Sequence, residues 1–242
     1  MVPDWRFSVM ALSHSPRIVT DGLVFCVDAA NPRSYPGAGT TWTDLTSENN
    51  NVTLVNGPVF DSENGGSILF DGTDDYGWFN RNGGTNFDGK DEISICTWVN
   101  YQSTGSIDTY IMMEDKFGGD QNEPVRMYVS SSGTFRVDID TGGADFAETD
   151  VIVATGLWFN ISMTYDGSFL KHYINSNLIT STSANGNIDT PIESNARWLL
   201  GCGEIPFSRY SNTKMSLVQM YNRALTAEEI KRNYNSTRGR FQ

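Results

Sequence analysis

Basic residues are scarce: 17 Lys and Arg stand against 29 Asp and Glu, for a formal net charge of −12. Phosphate backbones are gripped by clustered Lys and Arg, so this balance argues against a nucleic-acid partner and against an anionic membrane surface. Cysteine is nearly missing. Cys26, Cys96 and Cys202 are an odd number without a CxxC pair, so neither a disulfide framework nor a zinc site is indicated, and all three are expected as small buried apolar side chains. No apolar run approaches the ~20 residues of a membrane-spanning helix, so no membrane insertion is expected. The first residues lack a basic start followed by a long apolar stretch, and an ordinary secretion signal is not visible. Charged residues make up only 19% of the chain while Gly, Asn, Ser and Thr abound, the opposite of a helical bundle.

What is present reads as short strands and turns. The 242 residues, 38% apolar, suffice for one substantial core. Residues 1–20, with Pro3 and Pro16 and no clear period, form an N-terminal arm whose Trp5, Phe7 and Leu12 favour docking onto a neighbour. A single domain, 21–242, follows. Its first strand is Leu23-Val-Phe-Cys-Val-Asp28. Further on, Leu157, Phe159, Ile161, Met163 and Tyr165 alternate with Asn160, Ser162 and Thr164, predicting a strand with one core face and one much wetter face. The strand at 93–99 carries Cys96 and Trp98 on its second face and is expected to be covered on both sides. In the strand at 134–140, Phe135, Val137 and Ile139 point inward, leaving Arg136, Asp138 and Asp140 on a solvated face. Asp166-Gly167 predicts a tight hairpin into 169–174, and 215–221 is a late strand. Thr226-Ala-Glu-Glu229 is a capping box flanked by Leu225 and Ile230, which predicts a short helix from about Ala227 to Tyr234. The pattern is that of an all-β, two-sheet sandwich with a short C-terminal helix.

Four segments in order resemble the laminin-G-like members of the concanavalin A-like lectin/glucanase superfamily, which are antiparallel jelly-roll sandwiches. They are Phe70-Asp-Gly-Thr-Asp-Asp-Tyr76, Ile95-Cys-Thr-Trp-Val99, Trp158 to Gly167 followed by Tyr173-Ile-Asn175, and Tyr221-Asn-Arg-Ala-Leu-Thr-Ala-Glu-Glu-Ile230. Ser176 stands where the family has Gly, so that hairpin is expected to differ in shape. Asp21-Gly-Leu-Val-Phe, Asp28-Ala-Ala-Asn-Pro and Trp42-Thr-Asp-Leu, with the C-terminal segment, are similar to virion-associated members of tailed bacteriophages. The resemblance implies a non-enzymatic virion surface protein: a tail-fibre, spike or capsid decoration module. Its partners would be other virion proteins, through the arm, and host glycan, and it would act as a homo-oligomer. One alternative is a free extracellular calcium-dependent lectin. Another is a polysaccharide-degrading hydrolase or lyase.

Enzyme chemistry finds little footing in the residues. The superfamily's glycosidases use a Glu-x-Asp-x-x-Glu strand, and Glu148-Thr-Asp150-Val-Ile-Val153 lacks the last carboxylate. His14 and His172 are the only histidines, without a nucleophile context such as Gly-x-Ser-x-Gly; a lyase would need Lys171, His172 and Arg136 to converge. Binding is better supplied. The resemblance places calcium ligands at Asp115, Asp120 and Asn122, and Asp74-Asp75 is a second pair whose carboxylates would point apart on a strand. Sugar recognition uses an aromatic platform with amides and carboxylates beside it. Trp42, Trp78, Tyr101, Tyr110, Tyr128 and Tyr210 are platform candidates, with Asn80, Asn82, Asp138 and Asp140 as partners; Tyr128, Trp78, Asn80, Asp138 and Asp140 are the glycan-binding set expected here.

Overall fold

The computed structural model describes residues 17–103, 109–115, 123–142, 144–188, 196–203 and 209–241, with positions 113, 115 and 144–150 given by backbone alone. The strands are β1 (Leu23–Asp28), β2 (Thr41–Trp42), β3 (Val52–Val55), β4 (Val59–Asp61), β5 (Ser67–Asp71), β6 (Tyr76–Asn80), β7 (Ile93–Tyr101) and β8 (Thr109–Asp115). They continue as β9 (Val125–Val129), β10 (Thr134–Asp140), β11 (Ala144–Ile152), β12 (Trp158–Tyr165), β13 (Phe169–Ile174), β14 (Asn177–Ser183), β15 (Arg197–Leu200) and β16 (Asn212–Tyr221), before helix α1 (Ala227–Thr237). The first sheet runs β14-β13-β12-β7-β16-β5-β4, with β1 also on β16; the second runs β11-β10-β9-β8-β15-β6-β3-β2. Every pairing is antiparallel. The all-β sandwich expected from the alternation is the fold found.

The two inner faces meet in one large core. Phe25, Phe70, Ile95, Val99, Met163 and Tyr165 of the first sheet pack against Trp42, Phe79, Met127, Phe135, Val137 and Trp198 of the second. Phe25 and Phe79 stack across it at 4.3 Å, and Phe87 meets Trp198 edge-on at 6.0 Å. Near the middle of β16 the register shifts between Met215 and Leu217, so Met215, Val218 and Met220 all reach this core. The bulge sits at Ser216, whose Oγ donates to the Gly66 carbonyl.

The outer face of the first sheet is covered as well. Cys96, Tyr173 and Tyr221 pack under Val19, Leu225 and Ile230; Trp98 is stacked by Phe241 at 4.2 Å and Tyr234 at 5.6 Å. Coverage of β7 on both sides is as expected. The β12 face read as wet is a correction: Asn160, Ser162 and Thr164 are at most 4% exposed, because α1 and the segment after it lie over their side of the sheet. Leu157 falls before the strand and is 57% exposed. Helix α1 begins as its capping box requires, Thr226 Oγ1 accepting from Glu229 N–H at 3.3 Å and Glu229 Oε2 accepting from Thr226 N–H at 2.9 Å. It continues one turn beyond Tyr234.

Two hairpins differ from expectation. The Asp166 turn is longer than a two-residue one: Tyr165 pairs with Leu170, and Asp166 Oδ1 accepts from both Ser168 and Phe169 N–H. Asn175 and Ser176 do form the two-residue turn that Asn-Gly would, with φ of 50° and 66° and Ile174 paired to Asn177. All three cysteines are buried and outside any disulfide; burial pushes the Cys26 thiol up to about 12, with Asp28 and Asp44 adding to it, and the Cys96 thiol up to about 11.

Candidate functional site

The outer face of the second sheet collects aromatic and charged side chains through register alone. Across neighbouring strands Arg136 stands opposite Tyr128 and Tyr128 opposite Tyr110. In the next row Asp138 stands opposite Arg126, and further along Leu199 opposite Trp78 and Trp78 opposite Thr53. Tyr110 and Tyr128 stack at 5.2 Å with 21° between their planes. Residues following β15 then fold onto this stack. Gly203 N–H donates to the Arg209 carbonyl at 3.1 Å, and a Cβ at Gly203 would lie 2.8 Å from the Tyr110 ring, so only glycine permits so close an approach. Arg209 donates to Tyr110 Oη at 2.8 Å with its guanidinium 5.6 Å from the ring centroid.

This cover divides the aromatic candidates. Trp42 and Tyr101 are fully buried in the main core, so neither is a platform residue. Tyr110 and Tyr128 are 3% and 5% exposed and form a buried cluster with Leu199 and Cys202. Tyr76, Trp78 and Tyr210 pack against this cluster and stay partly exposed, Trp78 opposite Leu199 and Tyr76 and Tyr210 with ring centroids 6.5 Å apart. Asn80, two residues beyond Trp78 on the same face of β6, is exposed and stands opposite Arg197.

The charged members are less open than the alternation predicted. Asp138 is 5% exposed, a correction to the solvated face expected of it: Arg126 Nη2 lies 2.7 Å from Asp138 Oδ2, and Arg126 also reaches Glu123 at 3.2 Å. Burial raises the Asp138 carboxyl above its ordinary value, with Arg126 opposing. The Tyr128 hydroxyl is pushed up to about 12 by burial and then by Asp138. Asp140, half-buried, shares the face but turns its carboxylate to the Gly142 N–H at 2.9 Å.

Of the expected metal ligands, Asp115 ends β8 opposite Arg197, its backbone alone described, and Asp120 and Asn122 lie outside the described residues. A different carboxylate group does converge. Asp71, Asp74 and Asp75 each bring one oxygen to within 4.8 Å of the others, because Asp74 and Asp75 sit on the β5–β6 turn rather than on a strand, which corrects the expectation that adjacent carboxylates diverge. Asp71 Oδ1 accepts from Thr73 N–H at 2.7 Å, which holds its carboxyl below the ordinary range, and Asp75 Oδ2 accepts from Asp71 N–H at 3.1 Å. Burial, with the charges of Asp71 and Asp74, lifts Asp75. Three hard oxygens suit calcium chemically.

The catalytic candidates are scattered. His172 lies in the core, 0% exposed, Lys171 pairs with Asp166 on the other face of the first sheet, and Arg136 is on the second sheet. His14 is outside the described residues. Glu148 and Asp150 are placed by backbone on β11, Glu148 opposite Arg136. Sequence reading did not single out Tyr76, Arg126 or Arg209; the alternation of Tyr76, Trp78 and Asn80 along β6 was the available signal for the first.

A profile for the laminin-G-like group of the concanavalin A-like lectin/glucanases superfamily matches residues 71–231. The chain belongs to this family. Its laminin-G-like domain superposes on the binding domain of Paraclostridial Mosquitocidal Protein 1 with a TM-score of 0.69 at 17% identity, covering 89% of this chain and 52% of that one. For the binding domain of botulinum neurotoxin serotype D the values are 0.69, 13%, 88% and 50%. For a Trypanosoma rangeli sialidase in complex with sialic acid they are 0.66, 13%, 90% and 33%. The chain thus spans about half the length of the toxin binding domains, and a third of the sialidase. A further structure of similar fold is the serotype D domain in complex with N-acetylneuraminic acid, TM-score 0.67 at 14% identity, over 88% of this chain and 50% of that one. No curated protein matches the chain by sequence. Likeness at these identities fixes the fold of the laminin-G-like domain and leaves its ligand to the site.

Proposed function

We propose that this laminin-G-like domain is a non-catalytic glycan-recognition module that presents the outer face of the second sheet to sugar. The observation that carries this is the partly exposed trio Tyr76, Trp78 and Tyr210 packed on the buried cluster of Tyr110, Tyr128, Leu199 and Cys202. Such a platform covers the apolar face of a sugar ring, and exposed Asn80 beside it supplies a donor and an acceptor for hydroxyls. Arg126 on β9 and Asp138 and Asp140 on β10 lie farther along the same face, beyond Tyr110 and Tyr128. Two solved proteins that share this fold over part of their chains, the sialidase and the serotype D domain, are complexes with sialic acid, which makes acidic sugars the first to try. In a glycan array, Trp78→Ala, shown by circular dichroism to remain folded at the array temperature, is expected to weaken binding at least tenfold; array binding equal to wild type overturns the reading. Calcium bound at Asp115, Asp120 and Asn122 belongs to the same proposal, and chelation together with Asp120→Ala would then reduce the array signal in parallel.

The setting proposed for the module is a virion surface, as a tail-fibre, spike or decoration component, assembled as a homo-oligomer and attached through the N-terminal arm. The phage-like segments around Asp21, Asp28 and Trp42 and the C-terminal Arg-Gly-Arg-Phe support it.

A further inference from the structure

The other side of the sandwich holds a cleft that the reading above does not use. On the outer face of the first sheet, Trp158 stands opposite Asn100 and Asn100 opposite Lys214, and a space of about 350 Å³ opens over them. Its walls come from distant parts of the chain: Glu63 and Asn64 on one side, Phe241 on another, Gly156 and Leu157 at one end and Gln102 beside the floor.

The wall at Asn64 is built rather than incidental. Asn64 takes the left-handed conformation, φ 53° and ψ 29°, which a non-glycine residue adopts at a cost. With its amide oriented to satisfy both neighbours, it accepts from Trp158 Nε1–H at 3.1 Å and donates to the Arg240 carbonyl at 3.0 Å. The indole is thereby fixed at the edge of the cleft, and Phe241 leans on its other side at 4.7 Å.

The floor states what the cleft would take. Asn100 is 5% exposed. Gln102 Nε2 donates to Asn100 Oδ1 at 2.7 Å, while Asn100 Nδ2 and Gln102 Oε1 have no protein partner among the described residues. The amide donor of Asn100, open to the cleft on an otherwise buried side chain, and the amide acceptor of exposed Gln102 together suit a ligand group that both accepts and donates, which is the property of a hydroxyl. Charge is already balanced, Lys214 Nζ contacting Asp61 and standing 3.8 Å from Glu63, so the cleft offers no free cation to an anion. Leu157, 57% exposed, adds C–H surface next to the indole. The volume is at the small end of ligand pockets, roughly 300–1,000 Å³.

We propose that this cleft is a second, independent sugar site, taking one neutral hexose-sized residue through Asn100, Gln102, Leu157 and the edge of Trp158. The test is a titration of the full chain with glucose, galactose, mannose and N-acetylglucosamine, read by the indole N–H signals of its tryptophans in 1H–15N NMR spectra. The Trp158 signal, assigned by Trp158→Phe, is expected to shift saturably with at least one sugar. Gln102→Ala with Leu157→Ala should weaken that response at least tenfold, and both side chains are exposed, so folding is spared. No saturable shift at Trp158 with any of the four, or a shift that survives the double substitution unchanged, overturns the site. Because Trp78 reports separately, a response at Trp78 alone sinks this inference and keeps the opposite face. A response at Trp158 alone supports the cleft, and the opposite face, whose first candidates are acidic sugars, is decided by the glycan array.

Discussion

Ser176 shows how a single position can contradict its residue type. Its φ of 66° is in the left-handed region, where a Cβ meets the following carbonyl, at a cost of about 1–2 kcal/mol. The hairpin keeps its shape because Ile161–Ile174 and Ile174–Asn177 pairing on either side overdetermines it. Ser176→Gly is therefore expected to raise stability by about 1 kcal/mol, seen as a higher urea midpoint with an unchanged slope. His172 offers the opposite case. Burial holds its imidazole down to about 4, and neither ring nitrogen has a partner among the described residues. The folded state thus keeps it neutral while the unfolded chain takes up a proton near 6.5, so the unfolded state binds more protons between the two values. Stability is complete above about pH 6.5 and falls as pH drops toward 4, by up to about 3 kcal/mol. In His172→Leu the fall over this window should flatten. Glu229, held near 2 by Arg223, loses its contribution only below about 4.5. Neither behaviour was legible in sequence, since a φ angle and the lack of a partner belong to the folded environment.

At the scale of elements, local chemistry was easiest to read. Strands β1, β10 and β13 begin and end where the sequence puts them, at 23–28, 134–140 and 169–174, and the Thr226 box places the start of α1. Hidden were the consequences of one element covering another. Asn160, Ser162 and Thr164 look like a solvent face until α1 and the residues after it are laid over them. The bulge at Ser216 likewise has no local signature, because it is defined against β7. The stacked set Trp98, Tyr234 and Phe241 makes the C-terminal segment part of the first sheet's cover. Phe241→Ala should uncover Trp98 and Trp158 together and cost about 2–3 kcal/mol by area burial, measurable as a lower urea midpoint. Thr226→Ala should cost less, about 1 kcal/mol, through the cap alone.

At the scale of the whole molecule, the sandwich was legible from alternation and motif order, but the candidate face was only half so. Trp78, Tyr128 and Tyr210 were in view as aromatics. Their meeting depends on β6, β15, β8 and β9 lying side by side, a set of long-range pairings that no sequence window contains. The expected arm also gains definition: within 17–20, Val19 donates to Asn233 Oδ1 at 2.8 Å and its carbonyl accepts from Tyr221 Oη at 3.0 Å, so these residues belong to the folded body. A chain lacking residues 1–16 should keep its unfolding midpoint and lose incorporation into particles. Normal incorporation would remove the arm as the means of attachment.

The anchoring of Val19 on α1 and of Phe241 on Trp98 has a directional consequence. Both described ends of the chain emerge on the side of the first sheet. Whatever is coupled beside Val19 or Phe241 sits on that side, and the rings of Tyr76, Trp78 and Tyr210 lie on the other. The same geometry sets the Trp158 cleft close to the point of tethering. Immobilising the protein through a position beside Val19 or Phe241 would leave one face to report freely and crowd the other, whereas coupling through the second sheet would reverse their access.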